Sequence, residues 1–427
     1  MKTKFRWTIG GMLFFASMIN YIDRSTMPLV APMLKDDLGI DAAHLGIIFS
    51  IFFLGYALFN FVGGMLSDKH GPKKVYSVAM VVWSVFSGLT AIASGFWHLL
   101  IFRIIFGLGE GPMGSVSNKT VRNWFPSKES GFMVGVATSG GNLFGAAIAG
   151  PIIGLIAVSM GWRAAFILTM ILGLIWVVPW MLLSSDTPRQ NRHVSKEEAD
   201  YIEGGRTAVA EEGATGGHSL GWYLKSPTII AVALAFFAAN YTQYFLLSWM
   251  PSYLTSARGL DIKTMAIVSS IPWIAGLVGV VVGGIISDWM VARSGNAITG
   301  RKVILVATLL LDAISLLAVM FVTSTTQAVA LMAFVLFIEG MTPLACWALL
   351  QDLVPSNRVG SVGGYVHLLS NISGIVGPAA TGFIIQYGGG YNVSFAVAGF
   401  VAIIGAVAVL LFIRKSGSST LQKAHLA

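Results

Sequence analysis

Charged side chains are scarce in this chain: Asp, Glu, Lys and Arg make up 11% of its 427 residues, while 55% are hydrophobic. A water-soluble domain carries about 25% charged residues, so this chain lacks the polar surface a soluble fold of its length requires. Cysteine is almost absent. The single Cys346 excludes an intrachain disulfide, and its apolar surroundings mark it as a packing residue. There is no metal-ligand cluster, nucleotide-cradling loop or nucleophile elbow, so nothing supports an enzyme and no cofactor or metal is expected. No secretory signal peptide is expected either: the basic N-terminal stretch runs into a full-length apolar segment without a small-residue cleavage site. The net charge of +8 does not indicate nucleic acid, because the basic residues fall in short loops between apolar runs.

Those runs dominate the chain. They recur about every 30 residues and approach or exceed the roughly twenty residues that cross a bilayer as a helix. Backbone groups in lipid must bond internally, so the spans are expected to be helices; barrel strands would be shorter and alternating. The reading places spans at 8–31, 44–66, 75–94, 97–119, 131–157 and 163–184, then at 227–254, 263–288, 303–321, 327–351, 360–386 and 391–413. Residues 185–226 form the one long polar stretch, with Asp186, Pro188, Arg189, Arg192, Lys196, Glu197 and Glu198, then Gly213, Gly216 and Gly217. That is linker chemistry, with one short amphipathic helix expected near 195–204. The expected fold is an all-α membrane protein. Six helices lie in 1–184, a linker in 185–226, and six helices with a short tail in 227–427.

Basic residues set the orientation. With both termini and the linker in the cytoplasm, only Lys35, Arg163, Arg258 and Lys263 lie outside and Arg24, Arg103 and Lys119 lie within spans. The remaining twenty of 27 Lys and Arg are then cytoplasmic, which is the expected bias. The two halves also echo each other. Gly63-Gly64-Met65-Leu66-Ser67-Asp68 matches Gly283-Gly284-Ile285-Ile286-Ser287-Asp288; Pro126-Ser127 and Gly131 match Pro355-Ser356 and Gly360; Gly150-Pro151 matches Gly377-Pro378. A nearly constant offset over six spans indicates two pseudo-symmetric bundles, with a binding site expected near the midplane between them.

The run Gly64-Met65-Leu66-Ser67-Asp68-Lys69-His70-Gly71-Pro72-Lys73-Lys74 resembles the signature loop of the major facilitator superfamily. Glycines allow close helix approach, Asp68 can face a helix N-terminus or a cation, and the basic residues hold the loop in the cytoplasm. The resemblance implies that Gly64, Asp68, Gly71, Lys73 and Lys74 latch the halves in the outward-facing state. The second copy keeps Asp288, but its Arg293, Arg301 and Lys302 come late.

Four charges lie at membrane depth in the first half: Asp23 and Arg24 in span 1, Arg103 and Glu110 in span 4. Such residues are costly and usually functional. Adjacent Asp23 and Arg24 point about 100° apart, and Arg103 and Glu110, two turns apart, share a face at about 10.5 Å. Buried salt bridges that fix packing are one reading. Two such pairs gain little over apolar packing, however, and a proton-coupled anion site is the other reading. An arginine fork suits a carboxylate, and a nearby acid takes a proton when the arginine turns to substrate.

Asn20-Tyr21-Ile22-Asp23-Arg24, the stretch Arg103 to Pro112, Asn123-Trp124-Phe125-Pro126 and the Trp249–Tyr253 segment are similar to the anion:cation symporters of that superfamily. Among these, the chain resembles the bacterial proton-coupled carriers for galactonate, glucarate and hexuronates over nearly its whole length. The resemblance implies that Arg24 binds the substrate carboxylate, that Asp23 and Glu110 are the protonatable groups, that Arg103 tunes Asp23, and that Tyr21 and Tyr56 line the site. Asn142 stands where these carriers often have glutamine, which leaves the exact sugar acid open. Trp347 matches a substrate-packing tryptophan, and its ring plane suits the apolar face of a sugar chain or simple packing. His367 and Asn371, at i and i+4, share a face of span 11 as site wall or as packing. Asn240, Tyr241 and Tyr244 form a polar step in span 7, as gate or as interhelical bonds. Asp312 and Glu339 match no functional position of the family.

The expected partners are a small organic anion, H⁺ as coupling ion and the lipid bilayer. A monomer in the bacterial inner membrane is expected. An organophosphate:phosphate antiporter is the nearest alternative, and the absence of arginine within the C-terminal spans counts against it. A transporter-like sensor would need a signalling domain, which neither linker nor tail provides. Na⁺ coupling stays open beside H⁺.

Overall fold

Backbone polar groups inside a bilayer have no water to bond, which leaves the helix as the way to bury runs of this length. The computed structural model describes residues 3–205 and 219–413, and its regular elements there are all helical. The Gly-rich linker positions Gly213, Gly216 and Gly217 and the tail from Arg414 lie outside the described residues.

The first half comprises α1 (Arg6–Leu38), α2 (Ala42–His70), α3 (Pro72–Leu89), α4 (Phe96–Glu110), α5 (Met113–Trp124), α6 (Ser127–Val134), α7 (Gly141–Met160) and α8 (Trp162–Leu183). The linker contributes α9 (Lys196–Gly204) and α10 (Leu220–Lys225). The second half comprises α11 (Pro227–Ser256), α12 (Ile262–Val268), α13 (Ser270–Ser294), α14 (Ala297–Val319), α15 (Thr325–Glu339), α16 (Thr342–Leu353), α17 (Ser356–Tyr387) and α18 (Gly390–Phe412).

Local chemistry explains many of the boundaries. Asp41 caps α2 by accepting the His44 N–H at 2.8 Å, and Ser195, Asp261 and Asn296 cap α9, α12 and α14 in the same way. Gly71 ends α2 at φ +83°, a conformation that favours glycine, and Pro72 opens α3 at its first position.

Among the described residues, eleven helical stretches are long and apolar enough to cross a membrane. The expected first span, α1, has 33 residues, enough for roughly 50 Å of helix, but the polar stretch Asn20–Arg24 lowers its apolar character. Span 8 divides at Ser269 between α12 and α13, and two further spans divide at a glycine. Span 4 breaks between α4 and α5 at Gly111-Pro112, and span 10 between α15 and α16 at Gly340-Met341. Span 5 is continuous but widens into a π turn over Gly135–Gly140 between α6 and α7. The amphipathic linker helix appears as α9, close to its expected bounds. One placement differs: Arg301 and Lys302, read as loop residues, lie in the first turns of α14, because Asn296 starts that helix earlier than the apolar pattern implied.

The helices form two compact units. Of the described residues, the first holds 3–205, 244–277 and 374–394; the second holds 219–243, 278–373 and 395–413. In the first unit, α1 packs along α7 and α2 along α4, both at glycine contacts. A Cβ on Gly145 would strike the Met18 carbonyl, and one on Gly107 the Phe52 carbonyl. The same unit includes all of α12 and parts of α11, α13, α17 and α18. Gly46 of α2 faces the Pro378 carbonyl at a Cβ distance of 2.7 Å, and Gly374 faces the Phe53 ring at 2.5 Å. The Trp249 indole donates to the Pro378 carbonyl at 3.1 Å. In the second unit, α14 packs on α15 and α16.

Candidate functional site

The four intramembrane charges of the first unit are buried: Asp23 and Glu110 fully, Arg24 and Arg103 at 6% and 5% exposure. Glu110 is the last residue of α4, where Gly111-Pro112 ends the helix. Arg24 Nε donates to Glu110 Oε1 in a buried salt bridge. The guanidinium is enclosed by rings, with its Cζ 4.6 Å from the Tyr56 centroid, 5.1 Å from Phe52 and 5.2 Å from Tyr21. These faces offer cation–π contact and exclude water. The second Glu110 oxygen has no hydrogen-bond partner among the described residues.

Asp23 takes a different environment. Ser87 of α3 donates to its Oδ1 at 3.2 Å and also lies 3.0 Å from the Thr169 hydroxyl of α8. Asp23 Oδ2 is unpartnered. Arg103 makes no ion pair within 4.0 Å among the described residues; it stacks over Phe52 at 5.1 Å and Phe106 at 4.9 Å, and its Nε is unpartnered. The family resemblance coupled Arg103 to Asp23; in the structure the direct ion pair is Arg24–Glu110. Both arginines border one small pocket with Phe49, Phe52, Phe53 and Leu247. The Tyr244 ring packs tilted on Phe53 with centroids 4.3 Å apart, in the same unit. The structure thus brings together Tyr21, Arg24, Tyr56 and Glu110, and adds Phe52, Ser87 and Thr169. Only the polarity of Ser87 and Thr169 within apolar spans marked them in sequence, and serine and threonine are common in such spans. Asn142 follows the π turn, half-buried, and its Oδ1 has no partner.

A second cluster lies in the second unit. Trp347 of α16, His367 of α17 and Phe236 of α11 form a triangle with centroids 5.9–6.1 Å apart. Asn371 Nδ2 lies 3.1 Å from His367 Nδ1 and donates to the His367 carbonyl at 2.7 Å. Asn240 and Tyr241 are buried in this unit. The expected absence of arginine from the C-terminal spans does not hold: Arg301 lies in α14, where it pairs with Asp352 and bonds the Ala348 carbonyl, and Arg358 lies in the first turn of α17, because both helices start earlier than the apolar pattern implied.

The signature loop has a defined role at the end of the first unit. Lys119 of α5 donates to Asp68 at 2.6 Å and to the Ser67 carbonyl at 2.7 Å. Asp68 therefore takes the cation, and Asp186 takes the helix N-terminus, accepting the Lys73 N–H at 2.9 Å. A Cβ on Gly71 would collide with the Asp186 carboxylate. Asn123 and Trp124 hold the same segment by donating to the carbonyls of Asp186 and Ser185, each at 3.0 Å. Gly64 has room, with only Ser115 nearby at 3.7 Å; Lys74 and Asp288 are exposed.

A multi-pass helical bundle with a desolvated arginine–glutamate centre is the construction of a membrane transporter, not of an enzyme. The chain belongs to the Major Facilitator Superfamily, whose model matches residues 13–375 and 295–426. It is 44% identical to the hexuronate transporter of Bacillus subtilis (strain 168), over 94% of this chain and 93% of that one. It is 31% identical to a probable galactarate/D-glucarate transporter of Escherichia coli (strain K12), covering 96% and 94%. It is 29% identical to the D-galactonate transporter of Escherichia coli O6:H1, covering 94% of each. In fold it resembles the crystal structure of a D-xylose–proton symporter, with a TM-score of 0.76 at 17% identity, covering 97% and 99%.

Proposed function

We propose that the protein is a proton-coupled symporter that imports a sugar acid across the bacterial cytoplasmic membrane, with both termini cytoplasmic, and that a hexuronate is the first substrate to test, ahead of galactonate and other hexonates. The observation that carries this reading is the Arg24–Glu110 salt bridge inside an aromatic cage. A substrate carboxylate and Glu110 compete for one guanidinium. A proton on Glu110 removes its negative charge and frees Arg24 for the substrate; loss of that proton restores the internal pair and expels the anion. Asp23, held by the Ser87 hydroxyl and not by a cation, is the second acid available to bind a proton. Trp347, His367 and Asn371 supply a ring face and hydrogen-bonding groups suited to a polyol chain. The 44% relative, named a hexuronate transporter, directs the choice of substrate. Alternating access moves the site between the two sides, with the signature loop as its latch.

Uptake into proteoliposomes of radiolabelled glucuronate, galacturonate, galactonate and glucarate, with and without an inward pH gradient, tests this reading. Accumulation of a hexuronate only under the gradient is expected. Gradient-independent exchange against internal phosphate would make the protein an antiporter. Dependence on Na⁺ in place of H⁺ would overturn the assigned coupling ion.

A further inference from the structure

The spans broken at Gly111-Pro112 and at Gly340-Met341 are related by the internal repeat. Glu110 and Glu339 are 229 residues apart, the same offset that relates Pro126 to Pro355 and Gly131 to Gly360. Each is the last residue of its helix, each is followed by glycine at the break, and each is buried, at 0% and 4% exposure. Their partners differ in charge. Glu110 meets Arg24, whereas Glu339 interacts with a second acid, Asp312, which is itself fully buried on α14, the helix packed on α15.

Among the described residues no cation pairs with either acid. Arg301 is committed to Asp352 and Lys302 to the carbonyls of Leu410 and Ile413, about three turns from Asp312 along α14. From α16 the titratable group near Glu339 is the thiol of Cys346, and α18, packed along α14, carries no charged residue. None of the four carboxyl oxygens receives a hydrogen bond from another described group, and the buried Thr342 hydroxyl, at the start of α16 just past the break, is also unpartnered. Two carboxylates cannot bond each other, since both only accept, and two like charges in contact away from water repel strongly. One proton resolves both problems by making an O–H···O⁻ bond. A hard metal cation would need several further oxygens, and no third acid, histidine or cysteine joins the pair into a metal-binding group among the described residues.

We propose that Asp312 and Glu339 form a second proton-binding site, the repeat-related counterpart of Glu110, in which one proton is shared by the two carboxyls. Uptake of the proton makes one O–H···O⁻ bond across the α14–α15 interface; its loss leaves two carboxylates and loosens that interface at the break where α16, the helix carrying Trp347, begins. The pair titrates as a unit.

The full-length protein in detergent tests this without any sugar acid, so the result is independent of the proposed substrate. Infrared spectra at neutral pH are expected to contain the C=O stretch of a protonated carboxyl that is missing or displaced in both Asp312→Asn and Glu339→Gln. The thermal midpoint of the wild type should fall as pH is raised. Each amide variant should hold its midpoint, because the amide N–H replaces the shared proton. If one variant does not fold, the other carries both readouts. Spectra and pH profiles that superimpose on wild type in the amide variants would overturn the proposal, as would loss of the carboxyl band on adding NaCl at constant ionic strength, which would assign the pair to Na⁺.

Discussion

Arg24 is bound on one side by a carboxylate and on three by rings, so its charge is already satisfied when no substrate is present. This arrangement separates the effects of two substitutions. Arg24→Ala removes the carboxylate's partner, and a hydrogen bond to a charged group is worth about 1.5–3 kcal/mol. Substrate affinity should therefore fall by about tenfold or more, measured by equilibrium binding to protein in detergent. Glu110→Gln leaves Arg24 in place without its competing charge. Binding and counterflow should persist and lose their dependence on pH, while uphill uptake disappears. Uphill uptake in Glu110→Gln would remove Glu110 from the coupling, and unchanged affinity in Arg24→Ala would remove Arg24 from the substrate site. The sequence alone singled out both residues, because charge at membrane depth is conspicuous. It did not pair them: Arg24 adjoins Asp23 in the chain and shares no helix with Glu110, so only the tertiary arrangement of the helices could choose between the two acids.

At the scale of helices, the close approaches are made by glycines whose role depends on what lies opposite. Gly107, one turn before Glu110, touches the Phe52 backbone, while Gly131 of α6 has nothing within 4 Å of a built Cβ. Gly107→Val should push α4 from α2, costing about 1–3 kcal/mol or more, and displace both Glu110 and the Phe52 ring. Gly131→Ala should be neutral, or stabilise by up to about 1 kcal/mol, as glycine-to-alanine does in an open helix. Thermal midpoints of the two variants, read beside uptake, check this. A Gly107→Val protein as stable and active as wild type would mean that the α2–α4 contact does not position the site. Both residues look alike in sequence, since a glycine in an apolar helix does not reveal its neighbour. The breaks at Gly111-Pro112 and Gly340-Met341 are similar: each has a proline beside it, Pro112 and Pro343, yet both segments were read as continuous spans because the apolar pattern runs through them.

At the scale of the molecule, the linker is joined to the bundle end of the first unit. Glu198 of α9 is fully buried and accepts from the Thr3 hydroxyl at 2.5 Å and from the backbone N–H groups of Phe5 and Arg6 at 2.9 and 3.1 Å. Arg6 joins it to Glu129 of α6. Burial alone would raise the Glu198 pKa, but these hydrogen bonds outweigh it and hold the carboxyl below the ordinary glutamate value of 4.5. A depressed pKa stabilises the folded contact above the unfolded value, and the contribution is lost as pH falls through the folded one. Hydrogen exchange at residues 3–6 and 195–204 should thus stay slow at neutral pH and rise on acidification below about 4.5. Glu198→Gln should show the fast exchange at neutral pH. Equal protection in variant and wild type would show that α9 is held by its apolar contacts alone.

Composition and the spacing of apolar runs determined the all-helical membrane fold, because a bilayer admits few other solutions. The embedded charges marked the first-unit site, because their desolvation cost is too high to be incidental. The superfamily was legible in the loop from Gly64 to Lys74, where glycine, acid and base each have a physical task. Tertiary structure alone decided who meets whom. It gave Asp68 to Lys119 and the α3 N-terminus to Asp186, Asp23 to the Ser87 hydroxyl and Glu110 to Arg24, and it set Asp312 with Glu339. The reason is common to all of them. Each partner lies on another helix, and the periodicity of one helix states which face is polar but not which neighbour that face will find.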